Sequence, residues 1–100
     1  MKLSGNTIFI TGGTSGIGRG LAEAFHQRGN KVIIAGRRQA LLDEVARANP
    51  GIDTVVLDIN DAQQIKQVAQ QVIARHPDLN VVINNAGIMP FDNAASGDLD

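Results

Sequence analysis

Four glycines crowd into the eight residues TGGTSGIG, Thr11 to Gly18, directly after the apolar run TIFI. Glycine at a strand-to-helix turn lets backbone approach a ligand closely, because no Cβ stands in the way. A helix starting near Ile17 would turn its unpaired N–H groups and the positive end of its dipole toward that gap. The turn therefore suits a pyrophosphate. Tight chain reversal alone also uses glycine, but a strand before and a helix after favour phosphate binding. Two common phosphate loops do not fit. A P-loop needs Lys and then Ser or Thr after its last glycine, and here Arg19 and Gly20 follow Gly18, which argues against an NTPase. The GxGxxG spacing also fails, since the glycines run Gly12-x-x-x-Gly16-x-Gly18.

Other reactive side chains are scarce. There is no cysteine, which removes disulfides, thiolate catalysis and Cys-held metals. His26 and His76 lie on or at the end of amphipathic segments, where structural roles are commonplace. Asp92, Asp98 and Asp100 cluster without metal-ligand spacing. Nine Lys and Arg balance ten Asp and Glu, so neither nucleic acid nor an anionic membrane is an expected partner. No segment reaches the ~20 apolar residues of a membrane helix, and the N-terminus lacks the apolar run of a secretory signal. A soluble, cytoplasmic protein is the expectation, with residues 1–100 forming one unit.

Strands and helices must position the glycine turn. Thr7 to Ile10, Lys31 to Ala35, Thr54 to Ile59 and Val81 to Asn84 read as buried strands, short and β-branched. Between them the apolar period becomes helical. Ile17, Leu21, Ala24 and Phe25 share one face, then Leu41, Leu42, Val45 and Ala46, then Ile65, Val68, Ala69, Val72 and Ile73, with Asp61 as an N-terminal cap. The order β-α-β-α-β-α-β predicts an α/β fold, a parallel sheet with helices on both faces and a ligand crevice at the carboxyl ends of its strands.

Three motifs now carry a resemblance. TGGTSGIG resembles the TGxxxGIG motif of the short-chain dehydrogenase/reductase family, Asn84-Asn85-Ala86-Gly87 is similar to its NNAG motif after the fourth strand, and Asp58 matches its aspartate after the third. The runs IIAGRR and LNVVINNAGI also resemble the family's bacterial DltE-type branch. A receiver-like or flavodoxin-like domain shares the alternation but leaves the three motifs unexplained. The resemblance implies a Rossmann-type doubly wound sheet with strand order 3-2-1-4, here the cofactor-binding half. It further implies that Gly12, Gly16 and Gly18 frame a pyrophosphate loop lined by Ser15 and Ile17. Asp58 would contact the adenine amino group, with Ile59 beside the ring. Asn85 would tie the central strands together, while Ala86 and Gly87 would let the nicotinamide-side ribose pack close.

An NAD site usually ends its second strand with Asp or Glu, which binds the ribose 2′-hydroxyl and repels a 2′-phosphate. Here the strand ends Ala35-Gly36-Arg37-Arg38, with no acidic side chain before Asp43. A guanidinium can hold a phosphate through charge-assisted, often bidentate bonds. NADP(H) is therefore preferred over NAD(H), with Arg37 the first choice of ligand and Arg38 the second. Family enzymes move hydride using Tyr-x-x-x-Lys and an upstream serine, and this sequence has no tyrosine. The expectation is a stretch that binds cofactor and is not itself catalytic, part of an NADP(H)-dependent oxidoreductase; the alternative is a non-catalytic dinucleotide-binding module or the product of a truncated gene. A small-molecule substrate would belong to the intact protein. The fourth strand's uncovered edge would invite self-association.

Overall fold

Seven elements alternate in the computed structural model, which describes residues 4–12, 14 and 16–85. They are β1 (Thr7–Thr11), α1 (Gly16–Gln27), β2 (Lys31–Gly36), α2 (Gln39–Ala48), β3 (Asp53–Val56), α3 (Ala62–Arg75) and β4 (Val81–Asn84). The four strands are parallel and lie in the order β3-β2-β1-β4. This is a Rossmann-like α/β arrangement. Strand order reverses between β1 and β4, so the loops leaving their carboxyl ends diverge and open a crevice.

Both faces of the sheet are apolar because each is covered. Alternate residues Ile8, Ile10, Val32 and Ile34 point toward α1 and α2, where they meet Ala22, Leu42 and Val45. The intervening Phe9, Ile33 and Ala35 point the other way, toward Val68 and Val72 of α3. One helix cannot span that second face. An apolar groove of about 190 Å³ runs beside α3, floored by Phe9 and flanked by Leu79 and Val82. Val82 and Ile73 at its rim are each 57% exposed.

Helix ends follow local chemistry. Gly29 takes φ 88°, its N–H donates to His26 O, and the Asn30 N–H donates to Phe25 O. These two bonds close α1 as a Schellman motif, which needs a left-handed residue at that point. Asp61 caps α3 by accepting from the Gln63 and Gln64 N–H groups.

Two sequence expectations need correction. The buried face of α1 is Gly18 and Ala22, with Leu21 and Phe25 packed beside it, whereas Ile17 is 76% exposed and Ala24 is also exposed. Close helix–sheet approach selects small residues for the contact, and counting bulky apolar positions missed them. The third strand ends at Val56 and does not continue to Ile59. Leu57 N–H still donates to Gly36 O, but the Asn60 N–H then turns back to the Asp58 carboxylate and the Asp61 N–H to Asp58 O. A chain that turns back on Asp58 in this way cannot stay in the ladder.

At the opposite end of the sheet, Asp53 receives hydrogen bonds from Arg75, from the His76 ring at 3.0 Å and from the Thr54 N–H at 2.9 Å. Burial pushes its carboxyl upward, but the His76 bond, the Thr54 N–H and the Arg75 charge outweigh this and hold it below the usual range. Asp78 is lowered by Thr7 and Lys31, and Glu23 by Asn49 and Arg19. A carboxylate lowered in the folded state stabilises above its unfolded pKa, near 4, and loses that contribution as pH falls through the folded value. Urea midpoints are therefore expected to drop between about pH 7 and about pH 3, and Asp53→Asn should flatten the decline. An unchanged decline in that variant would remove Asp53 from the account.

Candidate functional site

The carboxyl ends of all four strands contribute to one cleft of about 470 Å³. Its walls are Gly12 and Thr14 after β1, Ala35, Gly36 and Arg37 at the end of β2, Leu57, Ile59 and Asn60 after β3, and Asn85 after β4. Glycine geometry shapes the turn that borders it. Gly12 and Gly16 take φ 74° and 59°, conformations that side-chain-bearing residues rarely adopt. Gly18 has a different reason to be glycine. A Cβ there would stand 2.1 Å from Gly12 O and 2.5 Å from the Asn85 side-chain nitrogen. The first turn of α1 is thus pressed against the loop before it, which a methyl group would force apart.

Asn85 ties this turn to β4. Its N–H donates to Thr11 O at 3.1 Å, and its Nδ2 donates to Gly12 O at 3.5 Å. One residue earlier, Thr11 Oγ1 donates to Asn84 Oδ1 at 2.8 Å. Gly12 N–H donates to Ala35 O at 2.9 Å, joining the same loop to β2. The turn is therefore anchored from both neighbouring strands before any ligand arrives.

The charged candidates divide. Arg37 is exposed and lines the cleft; Arg38 precedes α2 and lines a separate hollow with Val56, Asp58 and Gln64, to which Arg37 also contributes. Asp58 lies in that hollow and not in the cleft, its carboxylate accepting from the Asn60 N–H at 2.9 Å. Ile59, beside it, does reach the cleft. Arg19, at the place of a P-loop lysine, is held by Glu23 at 3.3 Å and by Glu44 at 2.8 Å and is absent from the cleft walls.

Neither histidine lines the cleft. The His26 ring lies 3.0 Å from Pro50 O and over Gly51, while His76 is bonded to Asp53. Ser15, Ala86 and Gly87 lie outside the described residues, as do Asp92, Asp98 and Asp100. Among the described residues no group of His, Cys, Asp and Glu is placed to hold a metal, and no helix is long and apolar enough to cross a membrane. Thr14, Gly36, Leu57 and Asn60 also wall the cleft, and no motif marks them as ligand-facing. Position at the carboxyl end of a strand is the signal that finds Gly36 and Leu57.

A glycine-built turn at the switch point of a parallel sheet, opening into a cleft, is the arrangement of the dinucleotide-binding class of domain. The chain belongs to the short chain dehydrogenase family, whose model matches residues 6–100. It is similar to an uncharacterized oxidoreductase, DltE, of Bacillus subtilis, 43% identical over 88 residues, which cover 88% of this chain and 35% of that protein. A short-chain dehydrogenase from Streptomyces avermitilis superposes with a TM-score of 0.78 at 39% identity, covering 84% of this chain and 31% of that one. A Shigella flexneri protein solved in complex with NADP superposes equally well, at 0.78 and 29% identity, covering 85% and 38%. The chain thus spans about a third of the length of these relatives.

Proposed function

We propose that the protein containing these residues transfers hydride between NADP(H) and a carbonyl or alcohol substrate, with residues 1–100 forming its cofactor-binding part. The nicotinamide would supply the hydride chemistry. The observation that carries the reading is the composition of the cleft: Gly12 and Gly36, the exposed Arg37, and no carboxylate among the described walls. Gly12, Gly16 and Gly18, with Ser15 and Ile17, would hold the pyrophosphate. Ile59 would pack on the adenine, with Asp58 contacting its amino group from the adjoining hollow. Asn85 would tie the central strands together, while Ala86 and Gly87 would let the nicotinamide-side ribose pack close. The cradle that a Cβ on Gly18 would fill fits this group, since backbone amides can then reach a phosphate unhindered.

Arg37 has no ion pair among the described residues, so its guanidinium is available to an incoming phosphate. Charge-assisted bonds of this kind contribute about 1.5–3 kcal/mol each, so Arg37→Ala should weaken NADPH binding by roughly 10- to 150-fold. NADH, which lacks the phosphate, should change little. Fluorescence titration of both cofactors against both proteins checks this. Equal affinity of the parent for NADH and NADPH would overturn the preference, and an unchanged ratio in the variant would overturn the residue. A dinucleotide-binding module without turnover is the second reading. Hydride transfer by the protein that carries this stretch separates the two.

A further inference from the structure

Gly36 ends β2 where an NAD site would carry its acidic side chain, yet its backbone does not require glycine. Its φ lies outside the left-handed range in which Gly5, Gly12, Gly16, Gly29 and Gly51 are found. What prevents a side chain is space. A Cβ on Gly36 would stand 2.9 Å from Cγ2 of Thr14, and the same threonine's Oγ1 is 3.7 Å away. The other close neighbour, Leu42 Cδ2 at 3.5 Å, is at ordinary contact distance. Thr14 is thus the one described residue that closes the position.

The obstruction is stiff. Both heavy branches of Thr14 sit directly on its Cβ and χ1 of a β-branched residue is restricted, so the contact is not with the far end of a flexible side chain. Thr14 also lines the cleft together with Gly36 and Arg37, which places it at the ribose end that Arg37 marks.

We propose that Thr14 is a specificity-determining residue: by occupying the space above Gly36 it excludes a carboxylate from the end of β2 and so reserves that end of the cleft for a phosphate beside Arg37. This rests on the NADP(H) reading above. It adds that cofactor preference is set by a pair of positions, one in the glycine turn and one at the end of β2. Gly36→Asp alone would drive its own side chain into Thr14 and could not place its oxygens on a ribose. Only removal of the Thr14 branches would let the new carboxylate settle.

The test is a double-mutant cycle in the full protein with Thr14→Ala, Gly36→Asp and the pair, each titrated with NADH and with NADPH. Gly36→Asp alone should weaken NADPH strongly without gaining NADH. The double variant should bind NADH about tenfold more tightly than the two single changes together predict, the signature of contacting residues. Additive effects on NADH, or a Gly36→Asp protein that already binds NADH as well as the double variant does, would overturn the proposal. A second cycle with Gly36→Ala, read as melting temperature without cofactor, guards against misfolding of the charged variant. Gly36→Ala should lower the midpoint and Thr14→Ala should recover it; no drop, or no recovery, counts against the crowding. Failure of the NADP(H) reading looks different. The parent would then bind NADH as well as NADPH, while the melting cycle would still show the coupling.

Discussion

Gly18→Ala is expected to lower dinucleotide affinity at least 100-fold, while Gly20→Ala, two residues along the same helix, leaves it intact and raises the melting temperature. The two glycines share α1 and differ in what surrounds them. A Cβ on Gly18 would meet Gly12 O at 2.1 Å, Asn85 Nδ2 at 2.5 Å and Gly12 C at 3.0 Å. Two of these atoms are backbone of the turn itself, so no side-chain rotation relieves the contact. Overpacking of this kind destabilises by about 1–3 kcal/mol even where neighbours can shift. Here the neighbour that must shift is the loop that would hold the pyrophosphate. Moving Gly12 also strains the Asn85 Nδ2–Gly12 O contact and the Gly12 N–H bond to Ala35 O. Displacement of one to two ångströms is enough to spoil a set of converging amides, because their bonds need donor–acceptor distances of about 2.7–3.2 Å.

Gly20 is the control. Nothing lies within 4 Å of a Cβ placed there, and the residue is exposed on the solvent side of α1. Alanine would gain helix propensity of about 0.8–1.0 kcal/mol relative to glycine, part of it through a less flexible unfolded chain. Isothermal titration with NADPH and thermal melts of both variants decide the matter. If Gly18→Ala binds as tightly as the parent, the close approach of α1 to the loop has no part in the site. If Gly20→Ala loses binding as well, the effect belongs to the helix as a whole.

The same helix marks how far the sequence alone could be read. Alternation of apolar strands with amphipathic helices was enough to give the element order, and the glycine spacing with Asn84-Asn85 placed the crevice on the right edge of the sheet. Both signals are carried by residue type and period. What the sequence did not disclose depended on approach distances. Ile17 and Ala24 fall at helical spacing from Leu21, yet the helix turns Gly18 and Ala22 inward because contact at that distance admits no larger side chain. Asp58 is an acidic residue at the motif position, but its type cannot reveal that its carboxylate closes a turn on the Asn60 N–H. Thr14 is an unremarked letter inside the motif, and only its distance from Gly36 gives it a role. Motif letters point to a dinucleotide, whereas a contact between loops such as that of Thr14 with Gly36 is legible only in distances.

The second large effect falls on the framework beneath the cleft. Ile34→Ala is expected to destabilise the fold by about 2–5 kcal/mol, the range for large-to-alanine changes in packed cores. Ile34 is fully buried in β2, one of the two inner strands, where it is in register with Ile10 on one side and Thr54 on the other. Its side chain belongs to the cluster that includes Ile8, Leu42 and Val45. These neighbours are themselves held in strands and in α2, so they cannot collapse into the space left behind, which favours the upper part of the range. Small domains have about 5–15 kcal/mol in total, and each kilocalorie moves the midpoint of a domain this size by about 4–8 °C. The melting temperature should therefore fall by roughly 10 °C or more. Val56→Ala provides the comparison, since Val56 on β3 is 44% exposed and loses little burial on truncation. Because β2 also delivers Gly36 and Arg37 to the cleft, the Ile34 variant should regain part of its stability when saturated with NADPH, as any ligand that binds only the folded state must provide. A variant that melts like Val56→Ala would mean that the inner strand is not the element on which the cleft depends.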